Sequence, residues 1–110
     1  MARAVKGDIV VVPFPFSDLT QAKRRPALVV CTLPGDDVIL CQITSRVHSD
    51  PLAIPLADAD IEGGALRVDS RIRPNRLFTA DQRLILYGIG RLSATKLSEV
   101  VEAIVGLIRR

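Results

Sequence analysis

The chain has 110 residues, 48% of them apolar, and carries an excess of three positive charges at neutral pH. That length supports one core and not two, burying about 65% of the unfolded chain's surface, so a single domain over residues 1–110 is expected. No run of eighteen apolar residues and no lipidation motif occurs, which argues against a membrane span or anchor.

The kind of base matters more than the net charge. Arg supplies twelve of the fifteen basic side chains and Lys only three, and the guanidinium fork can grip a phosphate bidentately where an ammonium cannot. The charge is also uneven: Arg67, Arg71, Arg73, Arg76, Arg83 and Arg91 share their stretch with only Asp69 and Asp81. Asp36, Asp37, Asp50, Asp58, Asp60 and Glu62 instead cluster around Arg46 alone. Cys31 and Cys41 flank the turn Pro34-Gly35-Asp36-Asp37 and could face each other across a hairpin. The apolar stretch from Ile9 to Phe16 is short, contains two prolines and lacks a cleavage site, so it does not read as a secretory signal. Reduced thiols in a cytoplasmic protein are expected.

In chain order, Ile9-Val10-Val11-Val12 is a β-branched run that predicts a buried strand, which Pro13 and Pro15 are expected to end. A polar loop from Ser17 to Lys23 follows, with the look of a flap. Pro26 to Thr32 and Val38 to Thr44 predict two strands of a central hairpin. Leu52 to Leu56, with its internal Pro55, predicts a short edge strand. Ala65 to Ile72 alternates and predicts another strand, as do the shorter runs Leu77–Thr79 and Leu84–Ile89. The C-terminal segment differs in kind: Ser93 is a plausible N-cap, and Leu97, Val100, Val101, Ile104, Leu107 and Ile108 recur at helical spacing. Several short strands and one terminal helix predict a mainly β fold, a partly closed barrel with a helix packed on it.

Two places carry chemistry. Arg24-Arg25 stands where a loop hands over to a rigid strand, and Gln42-Ile43-Thr44-Ser45 ends the next apolar run in amide and hydroxyl groups. Together they point to a phosphate-handling surface. His48 is the only histidine and has no partner at ligand spacing, so no metal site is expected. Neither a phosphate-cradling glycine loop nor a serine nucleophile elbow is present.

The segments Gly7 to Leu19, Arg25 to Val30 and Gln42 to Ser45 closely resemble the MazF/PemK/Kid family of toxin ribonucleases. Asp69-Ser70-Arg71-Ile72-Arg73-Pro74, Leu77-Phe78-Thr79 and Ile89-Gly90-Arg91-Leu92-Ser93 continue the likeness to the chain end. The resemblance implies an SH3-like barrel, a homodimer and a cognate antitoxin whose flexible segment covers the site. It also implies cleavage of single-stranded RNA without metal or other cofactor, leaving a cyclic phosphate and a 5′ hydroxyl.

Arg25 matches the family's catalytic arginine, which precedes the proline of the second strand, and Thr44 matches its threonine at the end of the third. A guanidinium held there can stabilise the charge that grows on a phosphate under attack. For the proton acceptor two residues stay open: an ungapped match puts Ser70 at the family's acidic position, with Asp69 one residue away. Within a strand, that step would put Asp69 on the opposite face. Arg24, Gln42, Arg67 and Arg73 are candidate RNA contacts. Phe14 and Phe16 could stack on bases or cap the barrel. Two rival functions share the fold: a non-catalytic RNA- or protein-binding module, and a topoisomerase-poisoning toxin for which Arg25 would not matter.

Overall fold

The computed structural model describes residues 3–15, 22–45 and 50–110. Phe16, His48 and most of the expected flap lie outside the described residues. Seven strands form one antiparallel sheet: β1 (Asp8–Pro15), β2 (Ala22–Thr32), β3 (Asp37–Thr44), β4 (Ile54–Leu56), β5 (Ile61–Glu62), β6 (Ser70–Asp81) and β7 (Tyr87–Leu92). Their order across the sheet is β4-β6-β3-β2-β1-β7-β5, and the chain ends in the helix α1 (Ala94–Ile108). The expected mainly β fold with a C-terminal helix is borne out, as a sheet curled into a half-barrel.

Both faces of the central strands are covered, which is why Ile9 to Val12 is apolar without interruption. On one face Ile9, Leu28, Cys41, Ile43 and Ile72 pack with Val100 of α1 and with Ile54, Leu56 and Ile61 of the short strands. On the other, Val10, Val12, Ala27, Val29, Val38 and Leu40 pack with Ala80 and Ile85. The helix begins where expected, with the Ser93 hydroxyl accepting from the Lys96 amide at 3.3 Å. Val100 is fully buried beside Leu97, Ala103 and Ile104, whereas Ile108 ends up exposed.

The prolines do not end β1 as expected. Its ladder with β2 runs unbroken to Pro13↔Arg24 and Pro15↔Ala22. The Val11 carbonyl accepts from the Leu86 amide at 2.8 Å, so Val11, and by alternation Pro13 and Pro15, turn their backbone polar groups away from β2. On that outer side β7 pairs only as far as Val11. Neither proline therefore removes a donor from the ladder.

Three further expectations are corrected. Residues 65–69 are not strand, and β6 starts at Ser70. Gly64 explains why: a Cβ there would lie 1.7 Å from the Ile89 carbonyl oxygen, so the chain runs hard against β7 before turning to β6. Ile72 and Leu77 to Thr79 belong to one strand, because Pro74, Asn75 and Arg76 loop out between Gln42↔Arg73 and Cys41↔Leu77. Such a bulge keeps the strand paired on either side while tolerating a proline. The two cysteines do not face each other, since Cys41 pairs with Leu28 and Cys31 with Ile39. Both are free thiols; Cys41 is buried, donates to the Arg73 carbonyl at 3.0 Å, and its pKa is pushed up to about 12 by that burial.

Candidate functional site

β2 and β3 part company at Pro26. Their last pair at this end is Ala27↔Gln42. The Val29 carbonyl accepts from Gly7 on the β1 side, so by alternation Ala27 and Arg25 also face β1, while Leu28 and Pro26 face β3. Proline has no N–H to give, so the ladder cannot resume there, opposite Ile43. Carried on in the same register, Arg25 stands opposite Thr44 on the face of Ala27 and Val29. The strands stay rigid beyond the parting because each is held from its far side, Arg25 by Val12 of β1 and Thr44 by Arg71 of β6. The result is a notch with fixed walls at the end of an otherwise closed pair.

Arg25 is half-buried, with its Nε shut off from solvent, and Thr44 is 5% exposed. Gln42 is half-buried on the same face as Thr44 and is paired with Arg73. The Arg73 Nε donates to Asp50 at 3.1 Å, and the two side chains are only 17% and 11% exposed. This pair fixes Arg73 and anchors the start of the turn before β4, where Asp50 also accepts from the Leu52 amide. Nothing in the sequence announces that contact, since 23 residues separate the partners.

The parting opens into a groove of about 620 Å³. Val11, Pro26 and Ile43 are among its apolar lining, and Arg24, Arg25 and Arg67 bring positive charge to it. Ser45, Ser70 and Tyr87 are among the other lining residues, and among the described residues none of the lining is acidic. Arg24, opposite Pro13, sits on the face away from Arg25, so the two neighbouring guanidinium groups flank the strand rather than crowd each other. Arg67 reaches the groove from the loop ahead of β6.

The two candidates for the proton acceptor are separated by more than a strand face. Asp69 is exposed in that loop and is not part of the groove lining. Ser70 does line the groove but is 6% exposed, and its hydroxyl donates to the Val68 carbonyl at 2.9 Å. Phe14 packs edge-on against Phe78, with ring centroids 4.7 Å apart, and both are partly buried against the core face of Val10 and Val12. Among the described residues no three His, Cys, Asp or Glu side chains are grouped to hold a metal ion. Among the same described residues no helix is long and apolar enough to cross a membrane.

The same fold recurs among solved structures. MazF from Deinococcus radiodurans superposes with a TM-score of 0.76 at 23% identity over 100% of both chains. A MazE-MazF complex from the same organism gives 0.77 at 22% identity over 97% of each chain. An endoribonuclease in complex with its cognate antitoxin, from a mycobacterial species, gives 0.75 at 11% identity, covering 96% of this chain and 94% of the other. Comparison with curated protein sequences returns no match. Residues 5–108 match the family described as PemK-like, MazF-like toxin of type II toxin-antitoxin system. That match takes in nearly the whole chain, the notch and groove included, and the protein belongs to this toxin family.

Proposed function

We propose that the protein is a metal-independent endoribonuclease that cuts single-stranded RNA as the toxin of a type II toxin-antitoxin pair. The observation that carries this reading is the notch: Arg25 opposite Thr44 on two pinned strands, beside a groove that Arg25 shares with Arg24 and Arg67 and whose described lining has no acid. In the proposed reaction a ribose 2′ oxygen attacks the adjacent phosphorus and the bond to the 5′ oxygen breaks. The 2′ hydroxyl proton is taken up by a base and the departing 5′ oxygen gains a proton, which yields a 2′,3′-cyclic phosphate and a 5′ hydroxyl.

Arg25 stabilises the charge that builds on the phosphate oxygens, and the Thr44 hydroxyl donates to one of them. A guanidinium stays protonated at neutral pH, so its role is electrostatic before it is that of an acid. Asp69 or Ser70 assists the 2′ proton. Arg24, Arg67, Gln42 and Arg73, with Phe14 and Phe16, form the wider RNA contact in this reading. The active unit is a cytoplasmic homodimer of single-domain chains, and a cognate antitoxin covers the groove with a flexible segment.

The test is incubation with single-stranded RNA in the presence of a chelator, followed by mapping of the new ends. Cyclic phosphate termini that vanish in Arg25→Ala are the expected result. Intact RNA with a folded protein overturns the reading. One observation favours a binding-only alternative: the Ser70 hydroxyl is held by Val68 and Asp69 stands outside the groove lining. That alternative predicts salt-sensitive RNA binding with no new termini. Growth arrest that survives Arg25→Ala would instead favour a topoisomerase poison.

A further inference from the structure

The chain has four aromatic side chains, three Phe and one Tyr, and no Trp. Phe14 and Phe78 are engaged with each other. Tyr87 is placed differently: it opens β7, is 48% exposed, and lines the groove that holds Arg24, Arg25 and Arg67. Its backbone is well anchored, because Tyr87 pairs with Val11 and the preceding Leu86 amide donates to the Val11 carbonyl at 2.8 Å. Val11 in turn pairs with Pro26, so Tyr87, Val11 and Pro26 form one row across three strands. Arg24, two residues along β2 from Pro26, falls on the same face as that row.

We infer that Tyr87 is the stacking platform for a nucleobase of an RNA strand lying in this groove, alongside Arg24 and Arg67, and so helps set which position along an RNA is cut. Three features of the groove call for a ligand with matching parts. A half-exposed ring on a paired strand offers a π-face to a planar group. Pro26, Leu66 and Ile89, half-buried in the lining, supply apolar surface for the edge of that group, and the arginines suit the anionic backbone beside it. A groove of about 620 Å³ is within the size range of a small-ligand site. A nucleotide unit of a single strand combines all three parts. The inference rests on the reading that the groove takes RNA, and it assigns Tyr87 a binding role, not a catalytic one.

Because Tyr87 is the only tyrosine and tryptophan is absent, the protein's tyrosine emission reports on this one position. The probe is a mixed-sequence single strand of 2′-O-methyl RNA, which cannot cyclise and so stays intact. Its binding is followed by the anisotropy of a label on the strand, and tyrosine emission is recorded in parallel, corrected for absorption with a free tyrosine amide. Quenching that saturates together with binding is expected. On cleavable RNA, Tyr87→Ala raises KM about tenfold or more with a smaller change in kcat, and Tyr87→Phe restores wild-type values. Binding without quenching, or a Tyr87→Ala variant with unchanged KM and an unchanged cleavage pattern, overturns the inference while leaving the nuclease reading intact. A wild-type protein that neither binds nor cuts RNA removes both.

Discussion

The two ends of the β2–β3 pair make opposite use of the same two strands. Toward the turn, residues 27 to 32 are laddered to β3, apolar on both faces, and closed by a turn in which Gly35 takes a φ of +80°. Toward the other end the ladder stops at a proline, the side chains become Arg24, Arg25, Thr44 and Ser45, and each strand depends on its outer neighbour. One end maximises burial, and the other forgoes a strand pairing where its side chains turn polar. Rigidity for a site therefore comes here from β1 and β6, not from the pair that carries it.

The sharpest way to break the comparison is to exchange the two kinds of loss. Arg25→Ala is expected to lower RNA cleavage by about a hundredfold or more, on the scale of removing one transition-state donor. Its thermal midpoint should change little. Leu28→Ala, three residues away in a fully buried site, is expected to cost about 2–5 kcal/mol of stability. Its activity, measured well below its lowered midpoint, should survive. If Arg25→Ala unfolds the protein, or Leu28→Ala abolishes cutting while folded, the division between the ends is wrong.

Gly64→Ala probes how the loop carrying Arg67 is placed. The added Cβ would meet the Ile89 carbonyl oxygen at 1.7 Å, a contact with backbone that can be relieved only by shifting the loop or β7. A cost of about 1–3 kcal/mol is expected, together with weakened RNA binding, because Arg67 and Tyr87 lie on the two sides of that contact. Denaturant titration and RNA affinity check the two effects separately.

Pro26→Ala sharpens the comparison by lending the open end a property of the closed one. The new N–H faces Ile43 and lets the ladder take one more step, worth about 0.5–1.5 kcal/mol. Losing the proline loosens the unfolded chain and costs about 0.4–1 kcal/mol, so net stability should barely move. Cleavage should fall, since Arg25 and Thr44 are drawn together across a narrowed notch. A variant with full activity would show that the parting is not needed.

These particulars also show where the sequence was readable. The helix was legible because its cap and its period are local, and Val100 lies where the spacing puts it. The β2–β3 hairpin was legible because two apolar runs flank a glycine turn. The passage of β1 through Pro13 and Pro15 was not, because whether a proline harms a strand depends on whether a neighbour needs its N–H. That neighbour, β7, comes more than seventy residues later and stops at Val11. The alternation of residues 65–69 imitated a strand, but the close approach at Gly64 is a tertiary constraint that periodicity does not encode. The placing of Arg25 and Thr44 near the ends of β2 and β3 was legible from where the apolar runs begin and stop. The Asp50–Arg73 pair and the place of Tyr87 in the groove depend on long-range packing.

A smaller effect follows from the core side of the hairpin. Burial raises the Cys41 thiol to about 12, above its ordinary value of 9.0, so between those values the folded protein keeps a proton that the unfolded chain releases. Stability from this residue is fully present below pH 9 and is lost as pH rises toward 12. Cys41→Ala is expected to be less stable at neutral pH and to show a shallower alkaline decline. Equal slopes for the two proteins in urea titrations between pH 8 and pH 11 would refute it.

The smallest effect lies on the helix, remote from both ends of the hairpin. Gly106 sits in the last turns of α1, where a Cβ would meet no atom within 4 Å and the φ is not positive. Alanine there loses no contact and spares the backbone entropy that glycine gives up on folding, so Gly106→Ala should stabilise by about 0.5–1 kcal/mol. RNA cleavage should not change, because α1 packs through Leu97, Val100 and Ala103 on the core and contributes nothing to the groove lining. A gain in midpoint with altered cleavage would mean that the helix communicates with the notch, and the core end of the sheet could no longer be treated as a passive support.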